Sequence, residues 1–306
     1  MGCGITSESM KHYEISWKGH CLRLGQRTQI MGVVNVTPNS FSDGGLFFQV
    51  EDAVKQGLKL VQDGADILDI GGESTRPFSQ GVSAEEEIQR VIPVIRKLAD
   101  RISVPISIDT TKASVVREAI LAGAAMVNDV SAFGFDEEMA GVVRDCGVPV
   151  ILMHMLRTPR TMQVTPEYDD VVADVKAFLK NAIKKAIESG IARSMVIIDP
   201  GIGFGKTVSH NLQLIHHLYL LHSLEVPVLI GPSRKAFIRH LLKDEAKADI
   251  RTDSPVVATG TQAAVAASVL CGAHMVRVHD VAETWATVQI SDAIRNSQQA
   301  FPDSCS

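Results

Sequence analysis

The stretch Ile67-Leu68-Asp69-Ile70-Gly71-Gly72-Glu73 decides the fold, because a short apolar run here ends in polar and Gly-rich residues. The chain contains eight such runs, and a helical pattern follows each of them. The other run endings are Asn35, Asp109-Thr110, Asn128-Asp129, Met153-His154, Asp199-Pro200-Gly201, Gly231-Pro232-Ser233-Arg234-Lys235 and Arg277-Val278-His279-Asp280. Eight strand–helix units favour a closed parallel barrel over an open doubly wound sheet, and the polar endings would then meet at one face.

The apolar runs also predict where the elements lie. Strands are expected near residues 30–34, 66–70, 105–108, 126–127, 149–153, 195–198, 227–230 and 275–278. Weak alternation over residues 12–28 predicts a β-hairpin that covers the lower end of the barrel, and residues 168–189 are expected to form the longest helix. The predicted fold is therefore α/β, a single (β/α)8 TIM barrel. Residues 1–28 form the extension and hairpin, 29–299 the barrel and 300–306 a tail.

Composition narrows the class of protein. Of the 306 residues 45% are hydrophobic and 5% aromatic, so aliphatic side chains must fill the core. The net charge of −5, with no Lys/Arg block, argues against a nucleic-acid or membrane-surface partner. Five scattered cysteines without a C-x-x-C pair indicate a reducing compartment. With no long apolar segment and no leader pattern, we expect a cytoplasmic protein.

Three strand-end carboxylates, Asp69, Asp109 and Asp199, are candidates for chemistry. A buried carboxylate is costly without donors, so each of them alone could instead cap a helix or pair with a lysine. Two of them facing one pocket together with Asn128 suit a flat heterocycle that offers adjacent N–H donors. This set favours a guanine-like or pterin-like ligand.

A second set suits an anion. Ser233-Arg234-Lys235 is expected to open a helix, whose N–H groups attract carboxylate or phosphate. Arg277 and His279 lie two residues apart on the last strand, so both can point at a phosphate. The loops after the seventh and eighth strands commonly form the phosphate site of such barrels. For His279, a purely structural histidine is the alternative.

Two other patterns do not predict the sites they resemble. Residues 200–207 approach a Walker A loop but begin with Pro200 instead of Gly, so they are not a P-loop. The glycines of this stretch are expected to allow tight turns. Four histidines follow the sixth strand, mostly as a surface set, and no H-E-x-x-H motif occurs, so a protein-caged transition metal is not expected. They are His210, His216, His217 and His222.

Three long connections lie at the strand-exit face, at residues 37–47, 73–83 and 156–165, and are expected to act as lids. The charged stretch 243–254 is expected to be a solvated excursion on the far side.

At these residues the chain resembles the dihydropteroate synthase family. The matching motifs lie in the family's order across nearly the whole barrel. They are Asn35-Val36-Thr37-Pro38-Asn39-Ser40-Phe41-Ser42-Asp43-Gly44-Gly45, Asp69-Ile70-Gly71-Gly72-Glu73-Ser74-Thr75-Arg76-Pro77, Ser107-Ile108-Asp109-Thr110, Asn128-Asp129-Val130-Ser131, Asp199-Pro200-Gly201, Gly203-Phe204-Gly205-Lys206, Ser233-Arg234-Lys235 and Arg277-Val278-His279-Asp280-Val281.

The resemblance implies a transferase of folate biosynthesis that condenses 6-hydroxymethyl-7,8-dihydropterin diphosphate with 4-aminobenzoate, giving dihydropteroate and pyrophosphate. The implied catalytic residues are Lys235, Asp109, Asp43 and Arg76. The implied pterin site is Asp109, Asn128, Met153, Asp199 and Lys235. The implied diphosphate site is Asn35, Thr75, Arg76, Arg277 and His279. The implied aminobenzoate site is Ser233, Phe204, Pro77 and Lys235.

The resemblance further implies Mg²⁺ beside Asn35, bound mostly through substrate oxygens and water. It also implies a homodimer and a sulfonamide target, with small molecules as the other partners. Loops that carry Asp43 and Arg76 would close to exclude water. Asn39 departs from the family's usual Asp and bears on the order of its loop, and Arg157 departs from a frequent Gly and bears on loop shape.

Two alternatives stay open at this point. A methyltetrahydrofolate–corrinoid methyltransferase shares the pterin-holding barrel but does not need the loop at residues 72–77, the Ser233 turn or the Arg277/His279 pair. A catalytically silent pterin-binding homologue would keep the fold, although intact Asn35 and Lys235 count against it.

Overall fold

The structure is a computed structural model that describes residues 10–37, 46–74, 81–243 and 250–297. The strands are β1 (Tyr13–Trp17), β2 (His20–Leu24), β3 (Gln29–Asn35), β4 (Ile67–Gly71), β5 (Ile106–Asp109), β6 (Met126–Asp129), β7 (Val150–Met153), β8 (Val196–Asp199), β9 (Leu229–Ile230) and β10 (Met275–Val278). The helices are α1 (Leu46–Gln62), α2 (Ala84–Ala99), α3 (Ala113–Leu121), α4 (Met139–Cys146), α5 (Val171–Glu188), α6 (Val208–His216), α7 (Ala236–Leu242), α8 (Pro255–Leu270) and α9 (Val281–Ser297).

The last eight strands form one parallel sheet in the order β8-β7-β6-β5-β4-β3-β10-β9. A parallel bridge between Ile198 and Val228 joins the two ends of that order and closes the barrel. The predicted (β/α)8 barrel is therefore confirmed. Its strands are almost wholly buried, as expected when helices cover a parallel sheet.

The N-terminal hairpin is also confirmed. β1 and β2 pair antiparallel, with Ile15 opposite Leu22. The indole N–H of Trp17 donates to the carbonyl of Ala125 at 2.7 Å, directly before β6 begins. His274 Nε2 lies 3.0 Å from the Lys11 carbonyl, directly before β10. The hairpin thus covers the lower end of the barrel, opposite the strand exits.

The helix predicted at residues 168–189 is α5, which begins slightly later because Asp170 caps it. The Asp170 carboxylate accepts hydrogen bonds from the N–H groups of Val172 and Ala173, which have no partner within the helix. The helix ends two residues before Gly190, which has a φ of +89°. The predicted tail at residues 300–306 and residues 244–249 of the predicted excursion lie outside the described residues.

None of the helices in the described ranges combines the length and apolar character needed to cross a membrane.

Candidate active site at the strand-exit rim

Residues that lie far apart in the sequence meet at the upper rim of the barrel. Arg277, near the end of β10, donates from Nη2 to Asp109 Oδ2 at 2.8 Å, across 168 positions of sequence. Its Nε donates to Asp69 Oδ2 at 2.6 Å. One guanidinium therefore bridges carboxylates from β4 and β5, which makes this rim a candidate active site.

Asp69 occupies the centre of this network. It is fully buried, and its Oδ2 also accepts a hydrogen bond from Asn128 Nδ2 at 3.0 Å. Among the described residues, its Oδ1 has no hydrogen-bond partner. The sequence marked Asp69 as a strand-end carboxylate but gave it no place among the site residues. The structure shows that it holds both Asn128 and Arg277.

Burial and charge shape the ionisation of this network. Burial raises the pKa of Asp109 to about 7, against the opposing effect of the Arg277 charge. Burial acts to lower the pKa of Arg277, but the carboxylates of Asp69 and Asp109 outweigh it and raise that pKa above its ordinary value. Arg277 therefore stays charged, while Asp109 can hold a proton near neutral pH.

Asp199, at the end of β8, is the next carboxylate around the rim. It is buried, and its Oδ1 accepts a hydrogen bond from Gly201 N at 2.7 Å. Burial raises the pKa of Asp199 to about 6, and the Gly201 N–H together with nearby cations limits that rise. Met153 lies buried on the neighbouring strand β7, with its Cα opposite that of Asp199.

Gly201 can only be glycine here. Its φ is +71°, and a Cβ at this position would lie 1.9 Å from the carbonyl oxygen of His154. The expectation that this glycine allows a tight turn is therefore confirmed, and the close approach joins the ends of β7 and β8.

Phe204 and Lys235 pack together as predicted for one slot. The Lys235 ammonium lies 4.0 Å from the centroid of the Phe204 ring, in cation–π geometry. Gly203 lies beneath the same lysine, because a Cβ there would come within 3.0 Å of Lys235 Cδ. The loop at residues 200–207 thus supports the Lys235 side chain.

Sequence reasoning missed the residues that hold this loop. Gln163 Nε2 donates to the Gly203 carbonyl at 2.7 Å, and the Tyr168 hydroxyl donates to the Gly205 carbonyl at 2.8 Å. Lys206 Nζ lies 3.0 Å from His154 Nδ1 and donates to the Phe204 carbonyl at 3.0 Å. No sequence motif marks such pairings, since the partners belong to separate loops.

Ser233 and His279, predicted for different subsites, touch each other. The Ser233 hydroxyl lies 3.0 Å from His279 Nδ1 and accepts a hydrogen bond from His279 N at 3.3 Å. The predicted aminobenzoate and diphosphate sites therefore share a boundary. Both residues lie at the ends of neighbouring strands, β9 and β10.

The expectation that Ser233-Arg234-Lys235 opens a helix is wrong. Helix α7 begins at Ala236, with Lys235 as its cap. Arg234 has a φ of +57°, which a right-handed helix cannot include, so the three residues form a turn instead. Arg234 faces away from the slot, since its Nε donates to Asp280 Oδ2 at 3.1 Å.

The other predicted site residues divide into two groups. Asn35 is half-buried at the end of β3, with its Cα opposite that of Gly71. Four predicted residues lie outside the described residues: Asp43, Thr75, Arg76 and Pro77. The departure at Asn39 also lies outside them, whereas Arg157 donates to the carbonyl of Val164 at 2.7 Å.

No group of three or more His, Cys, Asp or Glu in the described ranges is placed to hold a metal ion. Asn35, the predicted Mg²⁺ ligand, offers one amide oxygen at the rim. Such a single oxygen donor fits Mg²⁺, which takes most of its ligands from water and substrate phosphates and does not need a protein cage.

Comparison with known proteins is consistent with this geometry. The pterin binding enzyme family matches residues 31–279. The dihydropteroate synthase of Synechocystis sp. is 42% identical over 270 residues, which cover 88% of this chain and 91% of that protein. The Escherichia coli enzyme of the same name is 41% identical over 270 residues, covering 88% and 93%.

Solved structures give the same result. The Xanthomonas albilineans dihydropteroate synthase with 4-aminobenzoic acid superimposes with a TM-score of 0.84 at 44% identity, covering 95% of this chain and 100% of that one. A complex from the same organism with 7,8-dihydropteroate gives a TM-score of 0.82 at 43% identity, covering 94% and 100%.

Proposed function

Because this chain belongs to the family of pterin-binding enzymes, we propose that it catalyses the reaction of its dihydropteroate synthase relatives. It is a transferase that joins 6-hydroxymethyl-7,8-dihydropterin diphosphate to 4-aminobenzoate and releases pyrophosphate. The observation that carries this proposal is the Arg277 guanidinium, which bridges Asp69 and Asp109 at the rim of the barrel. That arrangement places acceptors for a heterocycle directly beside a cation for its leaving group.

The pterin is held by the polar ends of β5, β6 and β8. The carboxylates of Asp109 and Asp199 accept the N–H donors of the ring, and Asn128 can both donate and accept. The buried Met153 provides an apolar wall. Since the network already orders Asp109 and Asn128, little side-chain freedom is lost when the ring binds.

The leaving pyrophosphate is stabilised by cations on β10. As the C–O bond of the pterin methylene breaks, positive charge develops on the methylene and negative charge on the diphosphate. Within the described part of the chain, Arg277 uses Nε and Nη2 for the carboxylates, and Nη1 makes no hydrogen bond. We infer that Nη1 and His279 face the diphosphate.

The second substrate binds between Phe204, Lys235 and the Ser233 turn. Phe204 packs against the aromatic ring, and Ser233 donates to the carboxylate. The amine nitrogen then forms the C–N bond to the methylene and loses its proton. The protein orients the amine and excludes water, so the chemistry needs no strong general base.

Mg²⁺ completes the proposed site. Asn35 would hold it through the amide oxygen, together with substrate oxygens and water. When bound, the ion neutralises charge on the diphosphate.

We also propose a homodimer, a cytoplasmic location and competition by sulfonamides at the aminobenzoate slot. Large apolar side chains lie exposed on α7, α8 and α9: Leu241, Val256, Ile290 and Ile294. An apolar surface of this kind supports a dimer contact, and sedimentation equilibrium would show it as twice the mass of one chain. The free thiols Cys21, Cys146 and Cys271 support a reducing compartment.

The reaction is tested by incubating the purified protein with the pterin diphosphate, 4-aminobenzoate and Mg²⁺ while pyrophosphate release is followed. We expect release that depends on aminobenzoate. Lys235→Ala and Asp109→Ala should each greatly reduce turnover while the far-ultraviolet circular dichroism stays that of the wild type. Absence of aminobenzoate-dependent release would reject the synthase and favour a silent pterin-binding protein.

A further inference from the structure

Lys206 is a buried cation that the proposed reaction does not use. Its side chain is only 4% exposed, and its ammonium contacts two uncharged acceptors, His154 Nδ1 and the Phe204 carbonyl, each at 3.0 Å. Among the described residues, no carboxylate lies within ion-pair distance of it. Burying an ammonium without a paired carboxylate is costly, so its position calls for a compensating interaction.

The ammonium lies directly behind the strand ends that carry Asp199. His154, which contacts Lys206 through its ring, also donates from its backbone N–H to the Asp199 carbonyl at 2.9 Å. The Asp199 carboxylate is held from the other side by the Gly201 N–H. Lys206 therefore belongs to the same buried layer as this carboxylate but has no access to the substrate pocket.

Three cations act on the Asp199 carboxylate: Lys235, Arg277 and Lys206. The first two are proposed to contact substrate, so their effect on Asp199 changes as substrate binds. The groups that face Lys206 are Asp199, Lys235, His154 and His210. Lys206 is the one cation of the three whose surroundings within the described residues stay the same with and without substrate.

We propose that Lys206 is a positioning residue whose buried ammonium keeps the Asp199 carboxylate ionised, so that it can accept the N–H donors of the pterin ring. This inference rests on the proposed function, because it concerns how the same site binds its pterin. It assigns to the Gly203-Phe204-Gly205-Lys206 segment an electrostatic role in addition to the turn itself.

The ionisation of the groups agrees with this role. Burial lowers the pKa of Lys206 to about 7, and the Asp199 charge works against that fall. Burial and the Lys206 charge lower the pKa of His154 to about 3, so its Nδ1 accepts and the proton stays on Lys206. Lys206 in turn limits the burial-driven rise of the Asp199 pKa. Each charge stabilises the other, and the two titrate as a pair.

The test measures binding of 6-hydroxymethyl-7,8-dihydropterin, which lacks the diphosphate and its titration, by calorimetry between about pH 5.5 and 8. In the wild type we expect affinity to fall in acid as Asp199 takes up a proton. Lys206→Met keeps the stem and removes the charge, so this acid limb should move up by about one pH unit. Lys206→Arg keeps the charge and should leave the limb near its wild-type position.

Lys185→Met is the matched control. Lys185 Nζ also donates to a backbone carbonyl near the rim, that of Phe133, at 2.7 Å, but its charge acts on Asp129 and not on Asp199. We expect its acid limb to coincide with that of the wild type.

An unmoved limb in Lys206→Met, or an equal shift in Lys206→Arg, would overturn the inference while the proposed function stands. A wild-type protein that binds no pterin would overturn both. If Lys206→Met does not fold, Asp199→Asn provides the reciprocal measurement by NMR of ¹³C-labelled lysine. Loss of the carboxylate should lower the pKa of Lys206, and an unchanged titration of that lysine would reject the coupling.

Discussion

The two ends of the barrel bury polar groups for different purposes. At the lower end, uncharged groups join segments: Trp17 binds a backbone carbonyl, and His274 links the hairpin to β10. At the upper end, charged groups face one another around a pocket, as Arg277 does with Asp69 and Asp109. Neutral hydrogen bonds fix structure at little electrostatic cost, whereas clustered buried charges are costly and hold a site ready for a ligand.

The largest expected effect separates the two ends through two arginines that each pair with carboxylate. Arg277→Met should lower kcat/KM by at least about a thousand-fold, because it removes a cation from beside the leaving group and leaves two buried carboxylates without their donor. Arg27, at the lower end, pairs with Asp66 and is half-exposed. Arg27→Met should leave kcat/KM within about two-fold of the wild type. Comparable losses in the two variants, measured by pyrophosphate release, would break the comparison.

Two left-handed glycines sharpen it further. Gly201, at the upper end, and Gly147, at the lower end, have φ values of +71° and +61°. A Cβ at Gly201 would overlap the His154 carbonyl, while a Cβ at Gly147 meets nothing within 4 Å. Gly201→Ala should therefore cost about 3 kcal/mol or more of unfolding free energy, and Gly147→Ala about 1 to 2 kcal/mol. Urea unfolding measures both, and equal costs would contradict the close packing at Gly201.

Trp17→Phe tests whether the lower end serves stability alone. The change removes the indole N–H and leaves the buried Ala125 carbonyl without its donor, which should lower the unfolding free energy by about 1 to 3 kcal/mol. Because no group at the rim is touched, kcat and KM should stay at wild-type values. A change in KM for either substrate would show that the hairpin influences the site.

The two ends should also respond oppositely to pH. The raised pKa of Asp109, about 7, gives a stability contribution that is full below the ordinary value of 3.8 and is lost as pH rises through about 7. Burial lowers the pKa of His274 to about 3, so its contribution is full above 6.5 and is lost as pH falls through about 3.

The measurement is the difference in unfolding free energy between the wild type and each of Asp109→Asn and His274→Gln, taken from about pH 4 to 7. The wild-type advantage should fall with rising pH in the first pair and rise in the second, by up to about 1.4 kcal/mol per pH unit. Slopes of the same sign would remove this distinction between the ends.

Most of the fold could be predicted from sequence, because strands buried on both faces are continuous apolar runs. The exception is instructive: residues 227–230 read as a full strand, but β9 is only Leu229–Ile230. Pro227 has no N–H to donate, and Val228 instead forms the single bridge that closes the barrel onto β8.

The site was predictable where a residue's role follows from the end of its own strand, as for Asn128 and Asp199. It was not predictable where a role depends on contacts between loops. Gln163 reaches Gly203, and Lys206 reaches His154, only because the chain closes into a ring. The start of α7 was placed wrongly because the left-handed backbone of Arg234 leaves no mark in its residue type.

The amino-acid order by itself determined that this chain forms a barrel and which side chains stand at its rim, since apolar periodicity and strand polarity are local properties. Only the tertiary structure decided that Arg277 bridges Asp69 and Asp109 and that Lys206 lies buried behind Asp199. Charge pairing and desolvation depend on distances in space, and those distances are set when the strands close around a common axis.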